Sequence, residues 1–108
     1  MKYGLEESTI AKIQNVLARH KQVQQAILYG SRARGNYRTG SDIDLTLLGD
    51  KELNLSVLYR IMDEIDDLLL PYTFDISLLH TITDQDVLDH IQRIGTVFYE
   101  KRPQSHVT

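Results

Sequence analysis

The sequence predicts an α+β domain, a small mixed β-sheet with helices packed on one face. Two observations carry this. Short runs over residues 42–48 and 72–79 alternate apolar and polar side chains, as half-buried strands do. Stretches with apolar residues at helical spacing flank and separate them. The order helix, strand, turn, strand, helix, strand, helix, short strand suits helices covering one face of a small sheet, with strand carboxylates on the other.

Residues 1–7 read as a loose lead-in. Ser8 or Thr9 can cap a first helix, whose stripe is Ile10, Ile13, Val16 and Leu17, ending near His20. Val23 to Tyr29 reads as a strand, ended by Gly30. Ser31 to Arg34 is a short helix or tight turn, and Gly35 to Gly40 a loop. In the strand Asp42 to Leu48, Ile43, Leu45 and Leu47 face one way, and Asp42, Asp44 and Thr46 the other.

Asn54 is a cap for a helix reaching about Asp67, with Leu55, Leu58, Ile61, Met62, Ile65 and Leu69 as its stripe. Acids crowd its last part, a local cost unless a partner or metal offsets them. The segment from Leu53 to Leu70 holds more apolar residues than one stripe needs. Pro71 blocks continuation. Tyr72 to Leu79 is a third strand, with Asp75 between Phe74 and Ile76. Thr83 begins a last helix, with Val87, Leu88, Ile91 and Ile94 buried and Gly95 at its C′ position. Val97 to Tyr99 adds a short edge strand. A single domain over residues 1–108 is expected, with its core at about 8–99 and a polar tail over 101–108.

Composition narrows the function classes. The 42% apolar content is that of a globular protein, and the absence of cysteine removes disulfides and thiolate metal sites. No run approaches the roughly 18 apolar residues of a membrane span, and a cytoplasmic location is the default expectation. Net charge is −3, unevenly placed: Ser8 to Ser41 has six Lys or Arg and no acid, and Asp42 onward has thirteen acids and five bases. The basic half could attract an anion and the acidic half a metal or a basic partner.

Asp42 and Asp44, about 6.6 Å apart along one strand face, repel unless a cation relieves them, and hard oxygen ligands favour Mg²⁺ or Mn²⁺. Read alone, the pair is better explained as surface acids. Asp75 changes the weighing, because its apolar neighbours place it on the same face if the two strands are neighbours. Three convergent carboxylates could hold two metal ions. Gly30 and Ser31 could supply an anion site at a strand-to-helix turn. Arg32, Arg34 and Arg38 lie between the two ends; one could neutralise phosphate charge while the others hold the loop. Four scattered histidines show no zinc spacing. His80 reads as a loop residue, Asp84 and Asp86 as helix-start acids, and Tyr29 and Tyr37 as side chains that stack on a base or pack.

Gly30-Ser31, ten intervening residues, Asp42-Ile43-Asp44 and a later strand with Asp75 together resemble the nucleotidyltransferase superfamily of DNA polymerase beta. More narrowly, GSRARGNYRTGSDIDL is similar to the minimal nucleotidyltransferase (MNT) domain family, which includes antitoxins paired with a HEPN toxin, a helical ribonuclease. The resemblance covers about residues 8 to 99. It implies the nucleotidyltransferase fold, with Asp42, Asp44 and Asp75 as catalytic and Mg²⁺-binding residues, two ions being expected. Gly30 and Ser31, with Arg32 and Arg34, would bind the phosphates of ATP. AMP would pass to a hydroxyl, in the antitoxin members a tyrosine of the HEPN toxin, and pyrophosphate would leave. A hetero-oligomer with a HEPN-type partner is implied, the partner supplying the helical domain that larger relatives carry. Two other readings compete: a non-catalytic antitoxin or interaction module, and a nucleic-acid binder using the basic segment. The acidic remainder and the lack of an aromatic-basic pattern count against the second.

Overall fold

The structure is a computed structural model that describes residues 1–102; residues 103–108 of the expected polar tail lie outside the described residues. Four strands form one mixed sheet in the order β3-β2-β1-β4. They are β1 (Val23–Tyr29), β2 (Ile43–Gly49), β3 (Phe74–Leu78) and β4 (Thr96–Glu100). β1 runs antiparallel to β2 and β4, while β2 and β3 are parallel. The parallel pair needs a crossover, which α3 (Leu55–Asp66) provides.

The inner face of the sheet carries Ala26, Leu28, Ile43, Leu45, Leu47, Ile76 and Leu78, all buried. Against it pack Ile13, Val16 and Leu17 of α1 (Glu7–Ala18) and Val57, Leu58, Ile61 and Ile65 of α3. Each such aliphatic side chain stabilises the fold by about 1.5–3 kcal/mol. The end of α1 is tied to α3 where His20 Nε2 meets Glu64 at 2.6 Å and Arg19 reaches it at 3.3 Å. One of the acids crowding the end of α3 thus finds its partner inside the chain. Asn54 caps α3 as expected, its Oδ1 accepting from the Val57 amide at 3.1 Å.

Several expectations are corrected. Residues 1–7 are not a loose lead-in: Lys2 and Leu5 exchange backbone hydrogen bonds, and Leu5 is fully buried in the core. Helix α1 starts at Glu7 and has no side-chain cap. Leu55, Met62 and Leu69 do not belong to the buried stripe of α3; Leu69 is 88% exposed, beyond the helix end in a left-handed conformation. With Tyr59 they leave an apolar band outward, while Leu53 and Val57 are buried and Leu68 and Leu70 pack against the core, and together these account for the surplus of apolar residues between Leu53 and Leu70. The third strand is shorter than expected, beginning at Phe74.

The last helix, α4 (Gln85–Ile94), is capped by Asp84, whose Oδ1 accepts from the Asp86 and Val87 amides, rather than by Thr83. Of its expected stripe only Ile91 is buried, because α4 lies outside the main core. It seats instead over β1 residues that face away from α1 and α3. Gly95 has extended backbone, not a left-handed cap; glycine is needed there because a Cβ would strike the Ile91 carbonyl and lie 2.7 Å from the Ile27 side chain. Among the described residues, no helix is long and apolar enough to cross a membrane.

Candidate active site

The sheet register brings the carboxylates together. Asp44 of β2 is the direct partner of Asp75 on β3 and of Tyr29 on β1. Direct partners place their side chains on the same face of the sheet, so all three stand on the face opposite the core. Behind them lies a polar strip: Thr46 is fully buried and receives a hydrogen bond of 3.1 Å from Ser77. Asp75 is exposed and Asp44 half-buried.

These neighbours act on one another. Burial raises the Asp44 carboxyl to about 6; repulsion from Asp75 and then Asp42 adds to this, and the Arg32 charge opposes it. Burial likewise raises the Tyr29 hydroxyl; a hydrogen bond with Ser77 counters this, and the charges of Asp75 and Asp44 reinforce it. Asp42 precedes β2, is exposed, and accepts a hydrogen bond from the Thr73 hydroxyl. Among the described residues, no group of three or more His, Cys, Asp or Glu side chains is gathered closely enough to hold a metal ion. The donor chemistry still suits a hard divalent cation, since these are carboxylate oxygens on one face of the sheet. Asp44 and Asp75 form the adjacent pair, and Asp42 is turned toward Thr73.

β1 ends in a turn pressed against this pair. Gly30 has φ +76°, and a Cβ on it would overlap the Asp44 carboxylate. The position therefore needs glycine for its backbone angle and for the close approach. Gly30 opens α2 (Gly30–Arg34), a five-residue helix closed by Gly35 in the left-handed region. The amides of its first turn have no intrahelical acceptor, as at any helix start. That of Gly30 donates to His90 Nε2 of α4 at 3.0 Å. The His90 ring stands edge-on to Tyr29, with ring centres 6.1 Å apart.

Arg32 is only 3% exposed. Its Nε and one terminal nitrogen donate to the Ser41 carbonyl at 3.1 and 2.9 Å, and the other terminal nitrogen to the Tyr3 carbonyl at 2.9 Å. The guanidinium lies near the rings of Tyr37 and Tyr72, 5.5 and 5.2 Å from their centres. These contacts occupy it with the protein itself, so it clamps the N-terminal turn to the loop before Asp42. Arg34 and Arg38 are exposed and form no ion pair among the described residues. Arg32→Ala is expected to lower stability by about 3 kcal/mol, with Arg32→Lys recovering only part because an ammonium lacks the planar fork. Chemical denaturation of both variants checks this.

His80 lies past the end of β3, away from the start of the strand where Asp75 sits. Tyr37 packs on Arg32, and His106 lies outside the described residues. His90 was missed by sequence reasoning. Its spacing carries no signal, because its partner is 60 residues away.

Comparisons with known proteins bear on the fold. The chain resembles a chain of a toxin–antitoxin complex solved with AMP-PNP, at 19% identity and TM-score 0.66, covering 91% of this chain and 76% of that one. It also resembles a chain of the complex of a tri-AMPylated Shewanella oneidensis HEPN toxin with its MNT antitoxin, at 16% identity and TM-score 0.65, covering 90% and 74%. A chain of the MntA-HepT toxin–antitoxin complex matches at 16% identity and TM-score 0.64, over 89% and 74%. At these identities the likeness speaks for the fold. No protein of curated function matches the sequence significantly. The family model described as polymerase beta, nucleotidyltransferase matches residues 11–104, and the chain belongs to that family.

Proposed function

We propose that this chain is a Mg²⁺-dependent nucleotidyltransferase that moves AMP from ATP onto a hydroxyl, a tyrosine of a HEPN-type helical partner, in an antitoxin role. The observation that carries the reading is the in-register pair Asp44 and Asp75 standing beside the glycine turn at Gly30. Asp44, Asp75 and Asp42, the last after turning from Thr73, would hold Mg²⁺. When bound, Mg²⁺ supplies positive charge that offsets both the carboxylate repulsion and the phosphates. The Gly30-Ser31 turn would hold the terminal phosphates through Ser31, and exposed Arg34 would add charge. Arg32 would act indirectly, by holding the loop.

In the reaction, the acceptor oxygen attacks the α-phosphorus, the bond from that phosphorus to the pyrophosphate oxygen breaks, and the hydroxyl proton passes to Asp75. Most of the acceleration would come from positioning and from charge near the leaving pyrophosphate. The likeness to chains of toxin–antitoxin complexes supports the choice of partner. So does the outward apolar band of Leu55, Tyr59 and Met62.

A second reading, a module that neutralises a partner by binding alone, is favoured by the metal ligands not being pre-gathered. Intact mass separates the two. A HEPN-type partner incubated with this chain, ATP and Mg²⁺ is expected to gain one or more AMP units; an unchanged mass with complex formation supports the binding module.

A further inference from the structure

We propose that His90 is a positioning residue that holds the Gly30 turn against Asp44. The inference rests on the nucleotidyl-transfer reading for its catalytic consequence, but not for the contact itself. Among the described residues, the His90–Gly30 hydrogen bond is the only side-chain hydrogen bond that joins α4 to another element. A backbone amide can only donate, so His90 Nε2 is unprotonated and the neutral ring carries its proton on Nδ1. Gly30 in turn sits close to Asp44, because a Cβ on it would overlap the Asp44 carboxylate. His90, Gly30 and Asp44 therefore form a stack in which a helix outside the main core sets where the phosphate turn sits relative to the metal-binding pair.

The rest of α4 supports this arrangement. Its one buried residue, Ile91, follows His90 directly, and Gly95 lets the helix end come down on Ile27. The Tyr29 ring, edge-on to His90, braces it from the residue before Gly30. The contact also sets a division of labour in the turn. The Gly30 amide is already bonded, so it is the Ser31 hydroxyl that remains for phosphate.

The test compares His90→Leu, which cannot accept a hydrogen bond, with His90→Gln, whose amide oxygen can. Thermal melts exclude unfolding, and amide hydrogen exchange by NMR reads the contact directly. In His90→Leu the Gly30 amide is expected to exchange at least about tenfold faster, while the Leu28 and Ile43 amides keep their rates; His90→Gln recovers most of the protection. For AMP transfer, kcat is expected to fall about 10- to 100-fold in His90→Leu with KM for ATP within about threefold, and to recover in His90→Gln.

Unchanged Gly30 exchange in His90→Leu overturns the proposal. So does acceleration spread evenly over Leu28 and Ile43, which assigns His90 to packing alone. If the wild-type chain transfers nothing, the parent reading fails, and Mg²⁺ affinity by calorimetry replaces kcat. A loss of about threefold or more in His90→Leu then supports the positioning role, and an unchanged affinity overturns it.

Discussion

Asp44→Asn is expected to abolish AMP transfer, by more than about 100-fold, while making the metal-free fold more stable at pH 8. The two effects share one cause. Asp44 stands between Asp75 and Tyr29, half-buried, with Asp42 near enough to repel it. Folding raises its carboxyl from 3.8 to about 6. A raised carboxyl favours the fold most while it is protonated. The stabilising share is full below pH 3.8 and is lost as pH climbs through about 6. Such a displacement corresponds to about 3 kcal/mol at full strength, and solvent around a half-open side chain reduces it to about 1–2 kcal/mol. Asparagine keeps the shape and removes the charge. Urea unfolding at pH 5 and pH 8 without metal checks the stability arm: the wild-type chain should lose stability over that interval and the variant should lose less. Mg²⁺ should raise the wild-type melting temperature at pH 8 and barely move that of the variant. Undiminished labelled-ATP incorporation by Asp44→Asn would remove the assigned role.

Gly30→Ala carries the second large effect. The added methyl would need the space that the Asp44 carboxylate fills, and the backbone there has φ +76°. A side chain in the left-handed region costs about 1–2 kcal/mol, and displacing Asp44 adds to it. The loss of stability is expected to be about 2–3 kcal/mol. Transfer is expected to fall more than about 100-fold, because the carboxylate, the turn or both must move by more than the geometry of the reaction tolerates. Gly35→Ala is the control: that glycine also has positive φ, yet nothing lies within 4 Å of where its Cβ would be. It should cost stability without a comparable loss of transfer. Equal activity losses in the two variants would show that backbone strain, not contact with Asp44, controls the site.

Much of this was legible from residue pattern. Alternation in β2 placed Ile43, Leu45 and Leu47 on one face and Asp44 on the other, because strand periodicity depends only on the chain itself. Asn54 announced the start of α3, since a cap acts within three residues. The spacing from Gly30-Ser31 to Asp42 and Asp44 pointed to the family for the same local reason: turn, loop and strand follow one another directly.

Partners distant along the chain were not legible in this way. Periodicity put Asp75 on the carboxylate face only on the condition that β3 pairs with β2, and the parallel pairing in register makes it the neighbour of Asp44. Arg32 reads like any loop arginine until the fold buries it between the Ser41 and Tyr3 carbonyls. Leu5 falls in the stretch that reads as a loose lead-in until the core closes over it. Residue pattern placed the main helices and strands, the two faces of β2 and the residue types available for chemistry, because those follow from local backbone preference and side-chain polarity; it misassigned the buried faces of α3 and α4, which depend on what each helix packs against. Tertiary structure alone decided that His90 holds Gly30, that Asp42 turns to Thr73 and that Arg32 serves the fold, because a hydrogen-bond partner far along the chain is chosen by packing and not by spacing.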